Sequence, residues 1–459
     1  MMTARRLMTM MAFGLLAFAC QRDARGVELN LAETVTLAIA QNPGLQSAAD
    51  RREEVASQIR QARADAFPQL TLVASWDRSR NPSLLNSKDF EEILGQFPGG
   101  TFRPSEQTLH TTQIQVSQAL FTWGKIGAAV ELAELATKAV SAQIDAAVLD
   151  TTLAAVRAYF DLRSSRAALA VIELQEEARR AALAVVQARF DAGDATRLEL
   201  LRSEAALAEV APAVARTRGA VAVAESALRA VLGLEPGDPI VIVDAPEPLP
   251  RTLPPSETLV AVALSRRPEI ADLRFQEEAR QRQRRVIQAD GRPSADLTGS
   301  YGRQARVLEN LEDPLFADWR VGVGVRWEIS DGGRRRAQVA QVNSQLRQLQ
   351  WQQRELRSAV AFQVEQAWHA THAATASWRA AEFAARAARE ASRIARENYE
   401  QGVALQADLL DAQQREIEAS VLAVTSFYDA LTRQAELNRA LGLLPTDQWP
   451  DENPEGVQS

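Results

Sequence analysis

Cysteine occurs once in this chain, at Cys20, and histidine three times, at His110, His369 and His372. A single cysteine excludes an internal disulfide. Three histidines leave little material for acid–base or metal chemistry, and only His369 and His372 are close in sequence, three apart with no carboxylate motif beside them. A basic surplus is also missing: 52 basic against 59 acidic residues, net −7, offers no surface for nucleic acid. Aromatics make up only 6% of the 459 residues. After the first twenty residues no apolar run reads as long enough for a membrane-spanning helix. Asp331-Gly332-Gly333 lacks the spacing and lysine of a phosphate-cradling loop and reads as a turn. No catalytic constellation, cofactor motif or metal-ligand set emerges.

What is present begins with a leader. Arg5 and Arg6 precede an apolar stretch from Leu7 to Ala19, too short for a mature spanning helix and ordered like a secretory signal, so residues 1–19 are expected to direct export. Cys20 follows immediately. Ala17-Phe18-Ala19 suits ordinary signal cleavage, while the cysteine suits lipoprotein processing, and both routes stay open.

The stretch Trp319 to Ile329 places Trp319, Val321, Val323, Val325, Trp327 and Ile329 on one parity and Arg320, Gly322, Gly324, Arg326 and Glu328 on the other. Side chains of a strand alternate between faces, so this strand has one apolar and one polar face, with aromatics on the apolar side. Three weaker copies precede it, giving expected strands at about 69–78, 110–120, 294–303 and 319–329. Trp76, Tyr301, Trp319 and Trp327 sit on the apolar parity and are expected at a membrane interface.

Between the strands lie long helices. A short one from Leu31 ends at Asn42-Pro43 and a second runs to about Ala66. After Leu120-Phe121-Thr122-Trp123-Gly124 there is no glycine from Ala128 to Ala192, which allows on the order of 90 Å of helix. Beyond Gly193 a helix from about Leu198 to Gly233 is expected, kinked at Pro212 and Gly219. A Pro-rich connector, Pro236 to Pro255, closes the first half. The plan then repeats: Pro268 and Pro293 stand 225 positions after Pro43 and Pro68, and Gly402 and Gly442 stand 209 after Gly193 and Gly233. The difference of 16 falls in the hairpin loops, where length varies freely. The second long helix carries apolar or small residues in steps of three and four over some sixty positions, with polar gaps at Gln353, Thr371 and Ser392, a seam that needs partner helices along its length. The expected division is therefore a signal at 1–19, repeats at 20–250 and 251–445 with tip turns near Gly193 and Gly402, and a tail at 446–459.

Four strands with a lipid-compatible face cannot close a barrel, and open edges are forbidden in hydrocarbon. The chain is therefore expected to assemble, three copies giving twelve strands. Together, the two-fold repeat, the Asn42-Pro43 break, the two hairpins and the joints at Leu120–Gly124 and Ile329–Arg334 resemble the TolC-like outer-membrane factor family, over essentially the whole mature chain. The resemblance implies a mostly α fold with a small β part: a homotrimer whose coiled-coil helices form an α-barrel and whose strands form a 12-stranded transmembrane β-barrel. It also implies an exit duct in the outer membrane of a Gram-negative bacterium, docked to a periplasmic adaptor and an inner-membrane pump. Gly193, Thr196 and Gly402 then belong to the adaptor-docking tips, Asp408 and Asp411 to carboxylate rings in the constriction, and Tyr399 to a closing link with Glu199. Two positions depart from the family: Glu199 stands for an aspartate, and Ala404 for an arginine that Arg197 is a candidate to replace. The Pro- and Tyr-containing leader of the lipidated branch is absent. A periplasmic coiled-coil adaptor or an adhesin without a channel are the competing readings. The first would carry one helical hairpin, not two, and the second a C-terminal anchor.

Overall fold

A computed structural model describes residues 27–79, 106–238, 240–242 and 253–446. Cys20, the leader, the first hairpin loop, most of the Pro-rich connector and the tail beyond 446 lie outside the described residues. In chain order the elements are β1 (Val27–Leu29), α1 (Leu31–Gln41), α2 (Pro43–Ala64), β2 (Gln69–Ser79), β3 (Gln107–Phe121), α3 (Lys125–Asp191), α4 (Arg197–Ala208), α5 (Ala211–Leu232) and β4 (Ile240–Ile242). They continue with α6 (Ser256–Arg266), α7 (Pro268–Ala289), β5 (Ser294–Ala305), β6 (Ala317–Arg326), α8 (Arg334–Glu400) and α9 (Gln406–Ala440).

The chain divides into two compact units, one of Met1–Asp50, Ala142–Ile270 and Arg354–Ser459, the other of Arg51–Ser141 and Ala271–Gln353. Each draws on both sequence repeats. In the first unit the larger core gathers Ala155, Val156, Tyr159, Phe160 and Leu162 of α3, Leu228 and Leu232 of α5, Val35 and Ala38 of α1, and Tyr428 and Leu431 of α9. A second core joins Leu259 and Ala263 of α6 to Val360 and Val364 of α8 and to Leu437 and Leu441. The short helices α1 and α6 thus occupy matching places.

The repeat shows at the level of hydrogen bonds. Gly193, Gly233, Gly402 and Gly442 all have positive φ. Each ends a helix with the same two bonds: its own N–H to the carbonyl three residues back, and the next N–H to the carbonyl five back from itself. A Cβ on Gly233 would lie 3.2 Å from the Gln41 carbonyl oxygen, and one on Gly442 would lie 3.1 Å from Arg266 and Arg267 backbone atoms. In both repeats the capping glycine lets one helix end press against the C-terminus of the short helix.

In the second unit β2, β3, β5 and β6 form one antiparallel sheet in that order. Seam positions in α8 behave as their spacing requires: Val342, Leu349, Val360, Val364, Ala374, Ala381 and Ala385 are buried. The polar gaps are filled. Gln353 donates to Glu277 (2.9 Å), the Thr371 hydroxyl donates to the Arg433 carbonyl (3.0 Å), and Ser392 is buried.

Three expectations are corrected. The helix expected from Leu198 to Gly233 is two helices, because the chain breaks at Glu209–Val210 where Pro212 lacks a donor, and Gly219 lies inside α5 without a break. The last strand ends at Arg326, so Trp327 and Ile329 lie beyond it. The helix α3 is, by length and composition, apolar enough to cross a membrane, contrary to the sequence reading; its apolar residues serve the core, which takes Ala155 to Leu162. One element is not expected from the sequence at all: β1 and β4 pair in parallel, Val27 with Ile240 through Leu29 with Ile242, a three-residue pairing too short and too distant in sequence to leave a periodic signal.

Candidate functional site: an exposed apolar sheet face and two helix tips

The register of the sheet turns four alternating sequences into rows. Leu72 pairs with Ile114, Ile114 with Tyr301, and Tyr301 with Trp319; the row beside it is Leu70, Val116, Gly299 and Val321. Leu297 with Val323 and Ala295 with Val325 continue this face. Between these rows stand Thr71, Gln115, Ser300 and Arg320, which belong to the opposite face. Among the described residues no other element covers the apolar face: Leu72 and Trp319 are 71% exposed and Val325 72%. Trp76 and Tyr301 are exposed too. Among the described residues β2 and β6 each have a strand on one side only, so both edges carry unpaired backbone groups.

Sequence reasoning missed the aromatics at the other end of the strands. A bulge at Ala119/Phe121 shifts the register so that Phe121 pairs with Ala295 and joins the apolar face, whereas strict alternation would assign it to the polar one. Phe121 meets Trp123 edge to face at 5.0 Å, and Phe67 and Trp123 are exposed. The Trp123 indole donates to the Pro293 carbonyl (2.7 Å) and the Trp327 indole to that of Gly291 (3.2 Å). Trp327 therefore anchors the turn before β5 instead of standing in a strand.

At the same joints lies a polar cavity of about 520 Å³, lined by Lys125, Asp290, Asp296, Arg326, Glu328 and Arg335 among others. Its charges are largely paired: Lys125 with Asp290 at 2.6 Å, Arg334 with Glu328 at 3.1 Å, Arg335 with Asp331 at 3.5 Å. Asp331 accepts from the N–H of Arg335 and, with less effect, from that of Gly333, which holds its carboxyl below the usual range. The Asp-Gly-Gly stretch is thus a helix-starting turn.

The tips follow from local rules. Thr196 caps α4 in a reciprocal box: the Glu199 N–H donates to the Thr196 hydroxyl (3.2 Å) and the Thr196 N–H to the Glu199 carboxylate (2.7 Å). The Thr196 backbone N–H first, and then the Thr196 hydroxyl, donate to the Glu199 carboxylate and pull it below its ordinary value. Within the chain Glu199 is thereby engaged by Thr196, and Tyr399 lies instead under the Arg189 guanidinium, 5.9 Å from the ring centre. Arg197 stands over Phe190. Asp408 accepts from the Leu405 N–H at the start of α9 (3.2 Å), and Asp411 pairs with Arg415 one turn on (2.8 Å). Val403, Leu405 and Leu198 are exposed around these turns. His369 and His372 flank Trp368, with His372 stacked on it.

The unmatched residue at the tips is Gln406. Its side chain is buried, and its amide donates both to the Glu199 carbonyl (3.0 Å) and to the Ser203 hydroxyl (2.8 Å). No rule of spacing marks a glutamine at the first position of a helix for such a role.

Known proteins resemble this chain in sequence or in fold. The fusaric acid resistance protein FusA of Burkholderia cepacia is 27% identical over 322 residues, covering 68% of this chain but only 58% of that protein. The alkaline protease secretion protein AprF of Pseudomonas aeruginosa is 24% identical, covering 96% of this chain and 90% of that one. The Campylobacter jejuni CmeC outer membrane channel has the same fold, with a TM-score of 0.74 at 18% identity over 91% of this chain and 87% of that one. The family described as Outer membrane efflux protein matches residues 34–234 and again 259–443. With two matches over most of its length, a four-stranded sheet open at both edges and helices closed by paired glycine caps, the chain belongs to the Outer membrane efflux protein family, the TolC-like channels of the outer membrane, which are not enzymes and form trimers.

Proposed function

We propose that three copies of this chain form the exit duct of a tripartite efflux or type I secretion system, passing substrate passively from a periplasmic adaptor and an inner-membrane pump to the exterior. The observation that carries this is the sheet: an apolar face exposed from Leu70 to Val325, on a sheet whose two edges are unpaired among the described residues. In hydrocarbon every backbone group must be paired, so four strands are stable only if β2 of one copy meets β6 of the next. Twelve strands result, with Trp76, Tyr301 and Trp319 toward one interface and Trp123 and Trp327 toward the other. A second apolar stripe supports assembly. On α8, Phe362, Phe383 and Ile394 are exposed and recur at 21 and 11 residues, roughly six and three turns, so they fall near one face away from the buried seam. A neighbouring copy would cover that face.

On this reading residues 1–19 export the chain and Cys20 is the site of lipid attachment if lipoprotein processing takes place. The turns at Gly193 and Gly402, with Thr196, meet the adaptor, and Asp408 and Asp411 line the constriction that Tyr399 and Glu199 help to close. Three copies would bring six carboxylates together and favour cations. The names of FusA and AprF point to different cargoes, a small acid and a protease, so no cargo is assigned.

The test is crosslinking of detergent-solubilised protein followed by single-channel recording in planar bilayers. A ladder ending at three and discrete pores are expected; a monodisperse monomer with full β content would sink the proposal. Asp408→Asn with Asp411→Asn should abolish block by polyvalent cations, and Tyr399→Phe with Glu199→Ala should raise conductance. If neither changes, these carboxylates serve only their helix ends.

A further inference from the structure

Resting on the gate reading above, we propose that Gln406 is the positioning residue of the tip: its side-chain amide latches the first turn of α9 to the first two turns of α4, so the carboxylates at the two helix starts move together. Its amide nitrogen has two hydrogens, and both are used, one on the Glu199 carbonyl and one on the Ser203 hydroxyl, 207 and 203 residues away in sequence. Gln406 and Ser203 are each 6% exposed, so water does not compete for these bonds while the turns stay packed. Asp408 follows two residues after Gln406 on the same turn. Glu199, whose carbonyl takes the bond, is itself held by Thr196. The latch therefore ties a capped, rigid turn of one repeat to the acid-bearing turn of the other.

Two features make this a contact that opens rather than a permanent joint. The buried side of α9 here is mainly polar, with Gln406, Gln413 and Ser420 beside Leu409, whereas farther along the same helix it is mainly apolar, with Tyr428, Leu431, Ala435 and Leu437 around Ser426 and Asn438. Separating polar side chains into water costs less than separating apolar ones, because water replaces their bonds. In addition, the Gln406 side-chain oxygen is buried with no partner among the described residues, a deficit that opening relieves. The repeat-mate of Gln406, 209 positions earlier, is Arg197, which stands over Phe190, so the latch exists in one repeat only.

The experiment uses full-length protein in planar bilayers. Gln406→Leu keeps the volume and removes both bonds; Ser203→Ala removes one. Expected is a conductance at least about two-fold above wild type for Gln406→Leu, a smaller rise for Ser203→Ala, and melting temperatures near wild type for both. A purely structural glutamine would lower the melting temperature and leave conductance unchanged, which overturns the latch. Should Gln406→Leu fail to fold, the pair Gln406→Cys with Ser203→Cys, in a Cys20→Ser background, decides: oxidised pores should conduct as wild type and reductant should raise conductance, and indifference to reductant overturns the proposal. Wild-type protein that forms no pore at all sinks the conduit reading and the latch with it, whereas pores of unchanged conductance in Gln406→Leu sink the latch alone.

Discussion

Glu199 illustrates how a single side chain serves a helix before it serves anything else. Its carboxyl lies below the ordinary value of 4.5 because the Thr196 N–H donates to the ionised form. A depressed folded value means that the stabilisation is present above pH 4.5 and is lost as pH falls through the folded value. The melting temperature of Glu199→Gln should therefore lie below wild type near neutral pH and converge with it in acid; a gap independent of pH would refute the assignment. Thr196→Ala removes the other half of the box and should cost about 1 kcal/mol. Thr196 and Glu199 are three apart before an apolar run, so this cap could be read from the sequence, as could the glycine ends. The close approach of Gly442 to Arg266 and Arg267 could not. Gly442→Ala combines a left-handed backbone with a backbone contact at 3.1 Å, and a loss of about 1–3 kcal/mol is expected in chemical denaturation, with Gly233→Ala alike.

Among the elements, the strands and α8 show what periodicity conveys and where it stops. Alternation in β6 named Trp319, Val321, Val323 and Val325 as one face, and these residues are exposed together. Val323→Arg should cost about 2–4 kcal/mol in a lipid-facing strand, whereas Thr298→Arg on the opposite face should cost much less, measured by urea unfolding in bilayers. Equal costs would speak against a lipid-facing surface. Alternation failed at Phe121, because a bulge changes the count, and at Trp327, because the strand had already ended. In the helices the three-and-four spacing located the buried seam of α8 through its polar gaps, since Thr371 and Ser392 are almost fully buried at the positions the spacing demands. The break at Glu209–Val210 escaped because proline is compatible with the start of a helix as well as with a kink within one. Leu162, fully buried in the larger core, should cost about 2–5 kcal/mol as alanine.

For the whole molecule the prediction is that assembly and membrane contact are one event. Phe383→Ser, on the exposed stripe of α8, should weaken the crosslinked trimer while leaving helix content unchanged by circular dichroism. Brominated lipids should quench the fluorescence of Trp76 and Trp319 in the assembled protein; an unquenched trimer would place these rings in a soluble contact. The sequence by itself determined the long helices, the four sheet strands, the two-fold repeat and the family, because periodicity, prolines and capping glycines are local and survive in one dimension. Tertiary structure alone decided the register that aligns Leu72, Ile114, Tyr301 and Trp319, the parallel pairing of β1 with β4, and the burial of Gln406 between two turns. Each of these joins residues far apart in the chain, and no local preference of either partner specifies the other.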